Sequence, residues 1–419
     1  MFDIAISCLV LTAALAYLNH RFVGLPTTIG VMSIALLLSF ALIGLDKLGI
    51  GVFRDYEQAL LSSIDFSDVL MQGMLSLLLF AGALHVDLSE LRAVRWQVGI
   101  LAILGTMLSS LLVGFSLWYI LPLLGVALPF SYCLIFGTLI SPTDPIAVMG
   151  ILKSAGAPKR LELVIAGESL FNDGVGVVLF SLVVAMAASG EAPTVTEGFM
   201  LLLQEAGGGI LFGLGIGYLT FFMLRSIDSY QEEVLITLAA VLGGYALATR
   251  LHVSGPLAMV VVGLVIGNHG RALAMSDKTR QHLDMFWELL DEILNSVLFV
   301  LIGLEVILIP VSSGFLVAAA VVIIITLTAR LVSVAGPMSL FRRVFDLPPG
   351  SWRVLTWGGL RGGISVALAL SLPTGPERDF VLALTYAVVV FSILCQGLTI
   401  GKVVRKTMIV RITSEKPST

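Results

Sequence analysis

The segment Gly167-Glu168-Ser169-Leu170-Phe171-Asn172-Asp173 places two acids and an amide within six residues of an otherwise apolar run. Glu168 and Asn172 lie four residues apart and share one face of a helix, whereas Asp173 is turned about 100° from Asn172 and can look at a neighbouring helix. Asp144, Arg330 and Arg361 fall inside apolar runs of their own. A charge near the centre of a bilayer costs roughly 2.5–3.5 kcal/mol on insertion scales, so each of the five requires a partner or a water-filled cavity. Arg330 is the candidate counter-ion for Glu168, because a guanidinium and a carboxylate neutralise one another in a low-dielectric core. Asp173 is then left as the titrating group, able to hold a proton or a small cation, and competition of the two for one carboxylate gives exchange. Hard alkali cations prefer oxygen ligands. Asp173, Ser169 and a Thr143 carbonyl can supply them together with water, and Asp144 adds charge or a hydrogen bond from another helix.

The elements that position these groups follow from composition. Of 419 residues, 58% are hydrophobic and 12% charged, with a mean hydropathy of +1.02; soluble domains carry charge on roughly a quarter of their residues. The chain reads as an all-α, multi-pass integral membrane protein. Thirteen apolar stretches of spanning length recur, at about 3–20, 24–45, 68–86, 97–122, 128–151, 162–188, 198–225, 232–250, 254–270, 286–309, 312–337, 352–372 and 379–402. The first lacks a preceding basic segment and a cleavage site, and reads as a helix and not as a signal peptide. Of the 24 Lys and Arg residues, only Lys47, Arg54, Arg250 and Arg378 fall in the joints of one side, and Arg330 and Arg361 fall within spans. All the others lie on the opposite side, which predicts an outer N-terminus, a cytoplasmic C-terminus and an odd number of helices. One transmembrane domain over 1–402 and a short tail over 403–419 are expected.

Two spans cannot run smoothly. In the fifth, Pro142 and Pro145 bracket Thr143-Asp144, and each removes a backbone donor and clashes with the preceding turn. In the twelfth, Gly358, Gly359, Gly362 and Gly363 flank Leu360-Arg361; glycines ease unwinding and permit backbone angles closed to other residues. Interrupted segments at matching positions of two halves point to a transport site. The halves would be 1–188 and 232–402, inverted repeats joined by the span at 198–225, with the broken helices crossing near the midplane. Asp144 would then face positive helix ends and Arg361 negative ones.

At these residues the sequence resembles monovalent cation:proton antiporters of the NhaP/NHE branch. SPTDPIAV at 141–148, GESLFNDGVGVVLF at 167–180 and GGLRGGISVALAL at 358–370 carry the resemblance, which extends through LLLFAGALHVDLSELR at 77–92 and FWELLDEILNSVLFVLIGLE at 286–305. It implies exchange of Na+, or alternatively Li+ or K+, for H+, without a cofactor. It further implies Asp173 as carrier of cation and proton, and Ser169, the Thr143 backbone, Asp144 and Asn172 around the cation. Glu168 and Arg330 would be the buried ion pair, and Arg361 the arginine of the interrupted helix. The Asn172-Asp173 type is associated with electroneutral one-for-one exchange, and such proteins are typically homodimers in which a core domain moves against a dimerisation domain. Phe80-Ala81-Gly82-Ala83 departs from relatives that carry an acid in the third helix, at a Phe-Glu-Gly-Gly stretch.

Other features carry less. The glycines of 207–217 resemble a nucleotide fingerprint only superficially, since they lie in a membrane span, where small residues let helices approach. Cys8, Cys133 and Cys395 are scattered, as are the five histidines. Glu288, Asp291 and Glu292 read first as a solvated or ion-paired helix entrance and alternatively as a cation funnel. Nucleic-acid binding has no support. A membrane enzyme would need a metal cluster, nucleophile elbow or cofactor motif that is missing here, and a cation channel is opposed by the two buried arginines.

Overall fold

The computed structural model describes residues 2–47, 73–189, 195–305 and 313–414. Among these residues the chain is helical, and its only β-type contact is an isolated antiparallel bridge between Asp144 and Leu360. In hydrocarbon the backbone must satisfy its own polar groups, and a helix does so within one segment. The principal helices are α1 (Phe2–Leu18), α2 (Thr27–Lys47), α3 (Leu75–Leu84), α4 (Thr106–Ile120), α5 (Phe130–Ile140), α6 (Ile146–Ser154), α7 (Lys159–Ser189) and α8 (Gly208–Arg225). There follow α9 (Tyr230–Arg250), α10 (Gly255–Val265), α11 (Asp277–Glu305), α12 (Ser313–Leu340), α13 (Ser351–Trp357), α14 (Gly363–Leu370), α15 (Pro376–Phe391) and α16 (Leu398–Ser414).

Among the described residues, seven helical stretches are long and apolar enough to cross a membrane unaided. The other expected spans fall short for visible reasons. The third begins outside the described residues, the apolar parts of the second and ninth are short (Thr27–Leu42 and Gly255–Gly270), and α11 begins with a polar, charged half. The fifth is divided into α5 and α6, and the twelfth into α13 and α14. The last helix differs from the expectation: it passes through a π-type turn at Ser392–Gly397 and reaches Ser414 instead of ending at 402.

The helices pack in two groups. Phe136, Leu139, Val177, Phe180, Val322 and Leu368 bind α4, α5, α7, α12, α14 and α15 around one core. Phe80, Phe221, Tyr245, Met259 and Trp287 bind α3, α8, α9, α10 and α11 around another, and α1 and α2 pack on α11. Two bridging cores join them: Leu79, Leu170 and Val260 form one, and Ile29, Met32 and Leu298 meet Val148, Leu360 and Val389 in the second.

Close approach within the second group depends on the glycine run. Gly209, Gly213 and Gly217 face α10 at four-residue intervals; a Cβ at Gly213 would stand 2.6 Å from the Ala258 carbonyl oxygen, whereas one at Gly215 would meet nothing within 4 Å. Gly213→Leu should therefore destabilise the protein by about 1–3 kcal/mol through overpacking. Gly215→Leu, of identical chemistry, should leave the melting temperature in detergent almost unchanged.

Candidate functional site

The two breaks in the helices face each other and complete one another's hydrogen bonding. Helix α5 ends at Ile140 because the prolines at 142 and 145 interrupt its ladder. The Asp144 amide then donates to the Leu360 carbonyl of the other break at 2.8 Å. In return, the Arg361 guanidinium donates through Nη1 to the carbonyls of Pro142 (2.8 Å) and Ser141, at the end of α5 where carbonyls lack helical partners and the dipole is negative. The Arg361 amide is held by Ser392 Oγ at 2.9 Å, and Gln396 of the same π-type turn donates to the Trp357 carbonyl that ends α13. The Asp144 carboxylate lies at the opposite kind of end, beside Gly362 at the start of α14, so close that a Cβ there would run into it.

This geometry corrects one expectation. None of the glycines at 358–363 has a positive φ, and Gly362 itself lies at φ −122°. They are needed for space: a side chain at Gly359 would strike Arg330, one at Gly362 would strike Asp144, and one at Gly363 would strike Leu298.

Glu168 and Arg330 form a two-pronged pair between α7 and α12. Nη1 and Nη2 donate to the two carboxylate oxygens at 2.5 and 3.0 Å, and Nη2 also reaches the Leu355 carbonyl at 3.0 Å. Both residues are buried. On the same face of α7 as Glu168, Asn172 accepts from the Thr143 amide at 3.2 Å and donates to Thr143 Oγ1 at 2.8 Å. Thr143 Oγ1 also pairs with Ser169 Oγ at 3.0 Å. Asn172 and Ser169 thus clamp the unwound stretch from behind.

Asp173 differs from all of these. It is only 6% exposed, and its Oδ1 has no hydrogen-bond partner. It borders a cavity of about 150 Å³ between the two helix groups, enough for several waters. Thr143, Asp144, Gly362, Asp291 and Asn295 also line it. Leu170 and Ala166, which precede Asp173 on α7, and Val86, just past the end of α3, belong to the same lining. Of the expected cation ligands, Asp173, Asp144 and Thr143 therefore border the cavity, whereas Ser169 and Asn172 stand behind Thr143. Asp291 was the residue sequence reasoning undervalued. Its spacing from Asn295 and Leu298, four and seven residues on, marks one helical face and was the available signal. In the third helix Ala81 is buried and its neighbour Gly82 reaches the cavity.

Broken helices that meet beside a buried carboxylate and a cavity define a membrane transporter for small ions. The chain belongs to the sodium/hydrogen exchanger family, whose transmembrane family model matches residues 10–406. It is 55% identical over 411 residues to the Na(+)/H(+) antiporter NhaP of Pseudomonas aeruginosa, covering 97% of each chain. It is 35% identical over 381 residues to the Na(+)/H(+) antiporter NhaH of Halobacillus dabanensis, covering 89% of this chain and 91% of that one. The fold is that of the sodium proton antiporter MjNhaP1 of Methanocaldococcus jannaschii at pH 8, with a TM-score of 0.76, 18% identity and coverage of 96% and 97% of the two chains.

A buried pair broken on one side leaves a charge without compensation. Glu168→Gln should lower stability by about 3–5 kcal/mol, while Glu168→Met combined with Arg330→Met should recover most of that loss. Thermal unfolding of the purified variants measures both.

Proposed function

We propose that the protein exchanges Na+ for H+ across the membrane, one for one, with Asp173 as the shared carrier. The observation that carries this reading is the Asp173 carboxylate, buried, with one oxygen that has no hydrogen-bond partner, in a residue that borders the cavity between the two helix groups. Three charges near it are engaged: Glu168 with Arg330, and Arg361 with the carbonyls that end α5.

Na+ bound by the Asp173 carboxylate, the Thr143 carbonyl and water neutralises the acid, and so does a proton. Ser169 sets the position of Thr143 and comes within reach of the ion when its hydroxyl turns. Asp144 adds attraction from the opposite break, and Asn172 keeps the unwound segment in register without adding a second acid beside Asp173. Either loaded form is neutral and reorients, whereas the empty, charged site crosses the apolar layer poorly. Each cycle then moves one cation one way and one proton the other. Li+ and K+ compete for the same oxygens.

In this reading the group built on α4 to α7 and α12 to α16 moves against the group built on α1 to α3 and α8 to α11, which joins two copies as a homodimer. The two halves of the chain are inverted repeats. The N-terminus lies outside a bacterial-type inner membrane and the C-terminus in the cytoplasm, so the cavity opens inward.

In liposomes carrying a pH-sensitive dye, a Na+ gradient should drive internal pH, and clamping the membrane potential with K+ and valinomycin should leave the rate unchanged. Asp173→Asn should insert and fold but abolish the signal. Substantial exchange by a folded Asp173→Asn protein would remove Asp173 as carrier, and a rate that follows the potential would remove the one-for-one ratio.

A further inference from the structure

We propose that the corner between α12 and α13 binds a membrane phospholipid with a negatively charged headgroup. Past the end of α12 the chain runs Phe341-Arg342-Arg343-Val344-Phe345-Asp346-Leu347-Pro348-Pro349-Gly350, and α13 then starts at Ser351. This joint borders an open groove of about 520 Å³, within the range of roughly 300–1,000 Å³ typical of small-molecule sites. The lining changes character along α12. Leu331, Ala335 and Met338 follow one another at four and three residues, so they share a face of the helix where it is long and apolar enough to cross a membrane. Ser339 and Arg342 come next, at the helix end, and Trp352 lines the groove from α13. An apolar wall that leads to a guanidinium at the membrane boundary matches a molecule with a hydrocarbon chain and an acidic head.

Charge decides the class of headgroup. Arg342 is exposed and, among the described residues, forms no ion pair, while the one acid of the joint, Asp346, accepts from Arg160 Nη1 at 2.8 Å. The Arg353 guanidinium stands 5.2 Å from the centre of the Trp352 ring and adds a second cation at the rim. An arginine fork suits phosphate oxygens, and tryptophan favours the boundary between hydrocarbon and water. Leu331 and Leu340 are exposed on the same spanning helix, so the wall is open to the bilayer, which makes a lipid and not a soluble phosphate the occupant. The place gives the lipid a mechanical effect. Arg330, on α12, already reaches the Leu355 carbonyl of α13 at 3.0 Å from within the bundle. A lipid in the outer corner braces the same two helices from the membrane side, ahead of the second break.

The full chain, purified in an uncharged detergent and freed of lipid, is titrated with phosphatidylglycerol or with phosphatidylcholine of the same chains, and the tightest-bound lipid is followed by native mass spectrometry. Phosphatidylglycerol should bind the wild type about fivefold more tightly than phosphatidylcholine, the scale of one arginine beside an anionic headgroup. Arg342→Gln should remove that preference. Arg225→Gln, an exposed arginine at the end of α8 in the other helix group, should keep it. Equal binding of the two lipids, an unchanged preference in Arg342→Gln, or the same loss in Arg225→Gln overturns the inference. Displacement of phosphatidylglycerol by an equal concentration of glycerol 1-phosphate overturns it as well, because the site then takes a free phosphate. If Arg342→Gln does not fold, a second measurement decides. Phosphatidylglycerol brominated near the head of its chains should quench Trp352 emission, taken as the difference between wild type and Trp352→Phe, more strongly than brominated phosphatidylcholine; equal quenching counts against the site.

Discussion

No water is at hand in the middle of a bilayer to pair a free carbonyl or amide, and a helix that stops there exposes several of each. The chain stops two helices there and turns them toward each other. Asp144 and Leu360 share a backbone bond, Arg361 closes the carbonyls that end α5, and Ser392 and Gln396 secure the other side. Every other feature of the site depends on this mutual completion. It opens the backbone without leaving it unsatisfied, and it places an acid and an arginine at helix ends of opposite sign.

Around that crossing, charge is divided between groups that are fixed and one that is available. The Glu168–Arg330 pair is bidentate, buried and tied to the Leu355 carbonyl, a combination that holds α7, α12 and α13 in one arrangement. Asn172 and Ser169 fasten the unwound stretch to α7 through Thr143. In the proposed exchange, rigid surroundings of this kind would let a single carboxylate, Asp173, respond to the cation or proton while its neighbours keep their positions. The cavity lies at the seam between two helix groups, so in the proposed exchange relative motion of those groups would change which side it faces without disturbing the crossing itself.

Much of this was legible in the sequence wherever one residue type admits a single physical use. Prolines at 142 and 145 forbid a continuous helix, and a carboxylate and a guanidinium buried in apolar spans have few partners but each other, even 162 residues apart. Less legible were features that depend on how helices rotate and approach. The glycines of the second break were expected to supply unusual backbone angles; they supply room for Arg330, Asp144 and Leu298, which only the assembled bundle brings near. Asn172 looked like part of an ion shell, yet both ends of its amide are occupied by Thr143. Asp291 looked like part of a polar helix entrance because periodicity fixes the face it shares with Asn295 but not the neighbour that face meets.

In the proposed exchange Na+ and H+ compete for one carboxylate, Asp173. Titrating Na+ into weakly buffered, purified protein tests it most directly, with proton release and heat of binding followed over a range of pH. The expected result is release of one proton for each Na+ bound at acidic pH, with apparent affinity falling about tenfold for each unit of added acidity once the site is protonated. Na+ binding that releases no proton, with an affinity independent of pH, would contradict the account.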